Sequence, residues 1–143
     1  MAIVVGLASF EGAVATEEQL AARRAATLAR EHAERDPRLR VLSIVLGQYA
    51  GPAPAGGVKP AESALQRRVL IYLAGRRGQW SRRTPLSPNA EAALLRDLRR
   101  DLEATRGLDL GRYSTCVVQS GPDMAPDAAL TAVFCGTTPR VAP

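Results

Sequence analysis

Aromatic residues, lysine, histidine and cysteine are all scarce in this chain of 143 residues, and each scarcity excludes something. Aromatics make up 4% of the sequence, with Trp 1, Tyr 3 and Phe 2. The core therefore has to be built from Leu, Val, Ile and Ala, which suits helices packed on a small sheet. The one histidine, His32, falls in the last turns of a predicted helix, the place of a charge partner for the helix C-terminus rather than of a general base. With only His32, Cys116 and Cys135 available, no zinc-type spacing exists, and neither a metal nor a cofactor is expected. No phosphate loop or dinucleotide fingerprint occurs, and Ser9 has no histidine or lysine near it in sequence to activate it. A catalytic role is not expected. No apolar run reaches the roughly 20 residues of a membrane span. The opening Met-Ala-Ile-Val-Val lacks the basic region and cleavage site of a secretory signal, so it reads as a cytosolic start or as an excerpt of a longer precursor.

What is present is a composition of 46% hydrophobic and 23% charged residues, enough for one ordinary core and one compact domain over 1–143. The net charge of +5 comes almost wholly from arginine, since Lys59 is the one lysine. High-GC coding yields such an excess without selection for charge, although a basic surface also suits an anionic polymer. Cys116 and Cys135 sit in two segments that read as neighbouring strands near the C-terminus. They form either a disulfide, which would indicate an oxidising compartment, or a pair of buried free thiols.

Ile3, Val4 and Val5 are a short β-branched run that Gly6 should end. Thr16 with Gln19 has the form of a capping box, which predicts a helix from Glu17 to the break at Asp36-Pro37. Arg38 to Leu46 turns continuously apolar and reads as a central strand; the glycine- and proline-rich stretch from Gly47 to Gly57 reads as a loop. Gln66 to Leu73 alternates as a strand with one wetter face. Residues 76–86 read as a basic linker in which Arg76, Arg77, Arg82 and Arg83 surround Trp80, and nucleic-acid binding there is not expected. Ser87-Pro88 opens a helix with the apolar stripe Leu94, Leu95, Leu98 and Leu102, ending at Gly107. Two strands near Tyr113 to Gln119 and Leu130 to Cys135 should follow as a hairpin completing the sheet over 87–143. The expected fold is α+β, with the order β-α-β-β-α-β-β and the helices on one face of a small mixed sheet.

One arginine is out of place on the first helix. Arg24 lies between Leu20 and Leu28 on one i, i+4 row, at the flank of the apolar stripe, and should be half-buried. Either its stem snorkels over the stripe edge and its head pairs with Glu17 or Glu31, or it is a carboxylate-binding fork at the mouth of the turn from Gly6 to Gly12.

Taken together, Gly6, Ser9 and Gly12, then Leu20, Ala21, Arg24 and Ala25, then Gly47, then Arg67-Arg68-Val69, resemble the OmpA-like peptidoglycan-binding domain of bacterial envelope proteins. The resemblance spans about residues 2–74, and the core would occupy 1–75. It implies a non-catalytic module in which the turn, through Ser9 and Glu11, and the basic residues Arg24 and Arg68 meet the ligand. In that family an aspartate of the turn and the helix arginine together hold diaminopimelate of the peptide stem. Here Ser9 replaces that aspartate, and Glu17 stands where an asparagine is usual. The implied partners are a peptidoglycan stem peptide, bound weakly, or another envelope protein, in the periplasm if a signal precedes the chain. The segment from Ser87 would then complete a permuted OmpA-like sandwich. The competing reading is a cytosolic basic α+β protein that binds nucleic acid through Arg67, Arg68, Arg76, Arg77, Arg82 and Arg83.

Overall fold

The structure, a computed structural model, describes residues 1–8, 14–49, 69–73, 86–106 and 109–136. Its elements are β1 (Ala2–Ala8), α1 (Val14–Arg35), β2 (Val41–Gln48), β3 (Val69–Leu73), α2 (Pro88–Arg106), a 3₁₀ turn (Leu110–Arg112), β4 (Cys116–Ser120), β5 (Ala125–Pro126) and α3 (Ala128–Cys135). The strands form one mixed sheet in the order β3-β1-β2-β4-β5. β1 and β2 are parallel and joined through α1, while β3, β4 and β5 each pair antiparallel. The α+β class and the mixed sheet are as the sequence indicates.

The helices lie on both faces of the sheet, not on one. Because side chains alternate along a strand, β1 and β2 serve two cores at once. On one face Ala2, Val4 and Val41 meet Ala25 and Ala29 of α1. On the other, Ile3, Val5, Leu42, Ile44 and Leu46 meet Leu95, Leu98 and Leu102 of α2 and Phe134 of α3. Two central strands that carry apolar residues on both sides cannot leave either face in water, and this is the physical reason a one-sided arrangement fails.

Gly6 does not end β1 but sits inside it. A Cβ there would stand 2.6 Å from the carbonyl oxygen of Ala21 and 2.8 Å from the Cβ of Ala25, so the glycine lets α1 press onto the strand. α1 begins at Val14, a turn before the capping-box position, and stops at Arg35 just ahead of Asp36-Pro37. β2 likewise continues through Gly47 to Gln48 where a loop was expected. Register slips there, Leu7 facing Leu46 and Ala8 facing Gln48, so that Gly47 is the extra residue of a bulge. In β3 the wetter side carries Ile71 and Leu73, which pair with Ile71↔Val4 and Leu73↔Ala2 on the α1 side but are exposed. Leu70 and Tyr72 pack toward α2.

The segment 130–135, expected as a strand, is the helix α3. Asp127 caps it by accepting from the Leu130 N–H at 3.0 Å, and Gly136, at φ +89°, closes it by donating to the Ala132 carbonyl. The second strand of the C-terminal hairpin is instead the two-residue β5. Cys116 on β4 and Cys135 on α3 form a disulfide with Cα atoms 5.9 Å apart, joining strand to helix rather than strand to strand. At the other end of α2, Glu91 is buried and takes Arg40 in a two-pronged pair at 2.7 and 2.8 Å, which raises the Arg40 pKa further through those hydrogen bonds.

Candidate functional site

In open sheets with parallel strands, ligands gather at the carboxyl ends of those strands. Here that end is formed by Ala8 of β1, Gln48 of β2 and the first turns of α1. The segment arriving from α2 crosses it, pinned at several points. Gln48 and Ser114 exchange hydrogen bonds: the Gln48 N–H donates to Ser114 Oγ at 2.8 Å, and the Ser114 N–H donates to the Gln48 carbonyl at 2.8 Å. Tyr49 and Tyr113 bridge beside them, their rings edge to face with centroids 5.5 Å apart. Burial pushes the Tyr113 phenol up to about 12, with Tyr49 adding to the shift.

The centre of this arrangement is Glu18, in the second turn of α1. Its Oε1 accepts from the hydroxyls of both Ser114 and Thr115, the latter at 2.9 Å. Gly47 makes room for it, because a Cβ at that position would lie 2.8 Å from Glu18 Oε1 and 2.7 Å from the Thr115 nitrogen. Both hydroxyl protons are therefore spent on the carboxylate, and only lone pairs remain on the two oxygens. The arrangement supplies a held negative charge and hydrogen-bond acceptors, the chemistry of gripping a cation or an N–H group.

Of the residues singled out from sequence, Ser9, Glu11 and Arg68 lie outside the described residues, as do the basic cluster of Arg67, Arg76, Arg77, Arg82 and Arg83, Trp80, and Lys59. Arg24 is exposed on α1 and not half-buried. The apolar row that was to hold it is wider than α1 needs: Ala21, Ala25 and Ala29 alone make the fully buried seam, and Arg24 stands roughly 100° away from Ala25. It forms no ion pair with another described residue. Sequence reasoning passed over Glu18, Ser114 and Thr115. Glu18 had a visible signal, because seven residues before Ala25 it falls within about 20° of the buried seam. An acid on that line is a stronger misfit than an arginine on its flank.

Among the described residues no group of His, Cys, Asp and Glu is arranged to hold a metal, and no helix is long and apolar enough to cross a membrane. No protein-family model, curated protein or solved structure matches this chain. The class that the geometry defines is an α+β domain with a five-stranded mixed sheet clad on both faces.

Proposed function

We propose that the chain is a non-catalytic binding module of the cell envelope, holding the peptide of peptidoglycan weakly or docking another envelope protein. The observation that carries this reading is the Cys116–Cys135 disulfide, since such bonds persist in oxidising compartments and are rare in the cytosol. The order strand, helix, parallel strand, then an antiparallel strand on the other flank of β1 accords with the OmpA-like resemblance. Ser9 and Glu11 fall in the sequence between the carboxyl end of β1 and the start of α1, where the dipole of a long helix adds positive potential. Arg24, exposed nearly three turns into α1, is open to a carboxylate arriving from solvent.

Binding is weak in this reading because a zwitterion needs two partners. Arginine offers its carboxylate a fork worth about 1.5–3 kcal/mol, but a serine hydroxyl offers the ammonium a dipole in place of a charge. Losing one partner of a desolvated contact costs about 2–5 kcal/mol, roughly thirtyfold to several thousandfold in affinity. Pull-down on purified sacculi compares the native chain with Ser9→Asp, Glu11→Ala and Arg24→Ala. The expected result is faint native binding that rises in Ser9→Asp and disappears when Arg24→Ala is added. Strong native binding lost in Glu11→Ala would mean that Glu11 supplies the acid. Strong binding indifferent to all three changes refutes this placement of the site.

A further inference from the structure

On the α1 side of the sheet the helix packs over β1 and β2, and β4 lies beside it rather than beneath it. Between α1 and β4 runs a groove of about 390 Å³, floored by Val45 and Val117, walled by Ala22, and closed toward its ends by Glu18 with Thr115 and by Gln119. Three features of this groove point the same way. Glu18 carries the one formal charge among the described residues that line it, although the chain as a whole is at +5. The Thr115 hydroxyl donates its hydrogen bond to Glu18 and presents lone pairs to the groove. Gln119 Oε1 is buried without a hydrogen bond, and so is the Oγ of Ser43, its fully buried partner across the β2–β4 ladder.

An orphaned buried acceptor is costly, and such groups are few in a folded protein. Here an orphaned acceptor and a held carboxylate share one cleft with an apolar floor between them. We propose that the groove binds an alkylammonium group, its charge set against Glu18, its methylene stem lying over Val45, Val117 and Ala22, with a further N–H donor satisfying Gln119 Oε1. The ladder supports an elongated ligand, because Thr115 and Gln119 are four strand residues apart, about 13 Å. Nothing in this inference uses the turn bearing Ser9 and Glu11, so it stands or falls separately from the envelope reading.

The same chemistry reaches such a groove as a free aliphatic amine or as a lysine side chain. The test is therefore a two-armed titration of the full chain followed by amide NMR, with 1,5-diaminopentane in one arm and N-acetyl-lysine methylamide in the other. Pentanoate is the control. Saturable shifts confined to Ala22, Val45, Thr115, Val117 and Gln119 are expected in at least one arm and none with pentanoate; the tighter arm identifies the source. Glu18→Gln should weaken binding about tenfold, the scale of one charged hydrogen bond in a part-exposed groove. Since that change also alters the hold on Ser114 and Thr115, two further variants keep the test decisive. Gln119→Glu should tighten binding about threefold or more by adding a charge at the orphaned position, and Val117→Trp should abolish it by filling the floor. Absence of localised shifts in both arms, or shifts unaffected by Gln119→Glu and Val117→Trp, overturns the proposal.

Discussion

Removing the Cys116–Cys135 bond tests how the C-terminal third is held to the sheet. The bond spans 19 residues; α3 is also held to the sheet through Phe134 and the Thr131 hydroxyl, which accepts from the Val118 N–H at 2.9 Å, and to α2 through Arg99, which donates to the Phe134 carbonyl at 3.0 Å. Closing a loop of that length removes about 11 cal/mol/K of chain entropy from the unfolded state, or about 3 kcal/mol at 25 °C. Against a total stability of about 5–15 kcal/mol, that is a large share. For a urea slope of about 2 kcal/mol/M the midpoint should fall by about 1.5 M, and the melting temperature by about 6–12 °C. The slope itself should rise, because an uncrosslinked unfolded chain exposes more surface. The assay is urea denaturation followed by circular dichroism on the oxidised chain, the reduced chain and Cys116→Ala/Cys135→Ala, the last two agreeing if loss of the covalent link dominates. Equal midpoints for oxidised and reduced protein would refute the entropic reasoning. Two reactive thiols in the native, unreduced chain would remove the bond and, with it, the main support for an oxidising compartment.

Gly6→Ala should destabilise the fold by about 1–3 kcal/mol, because the new methyl meets helix backbone that cannot step aside. An unchanged urea midpoint would mean that α1 is not seated so close to β1. Asp127→Ala should cost about 1 kcal/mol by uncapping α3. The Asp127 carboxyl is held below its usual range, first by the Leu130 N–H and then by Ser120, so its stabilisation is complete above the unfolded value and is lost as pH falls through the folded one. The gap between native and variant stabilities should thus close below about pH 4; a gap constant from pH 7 to pH 3 contradicts the charged cap.

Elements whose signal is local were legible in the sequence. The run of Ile3, Val4 and Val5, the apolar stretch into Leu46 and the Ser87-Pro88 start each declare their element within a few residues, and Ser87 Oγ does accept from the Ala90 N–H at 3.2 Å. α3 was misread because Thr131, Val133, Phe134 and Cys135 are all residue types that strands favour, and eight residues are too few for a helical period to assert itself. Its identity lay at its ends, in Asp127 and Gly136. Two glycines of the first half, Gly6 and Gly47, also mislead when read as punctuation. Gly6 and Gly47 are there for close approach, of α1 in one case and of the Glu18 carboxylate in the other, and what approaches is not visible from the flanking residues. The candidate site is harder still, since Gln48 and Ser114 are 66 residues apart. No local pattern encodes a meeting over that distance, although the misfit of Glu18 on its own helix announces that a partner must exist.

The two-sided cladding of β1 and β2 has a consequence for the chain while it is being made. When β2 leaves the ribosome, α1 is already available to cover one face, but Leu95, which covers the other, follows Leu46 by roughly 50 residues; at about 5–20 residues per second the delay is some 3–10 s. During that interval Ile3, Val5, Leu42, Ile44 and Leu46 form an apolar sheet surface without its roof. The newborn N-terminal half is thus a natural client for a holding chaperone. A chain truncated ahead of α2 should be sticky rather than merely unstable.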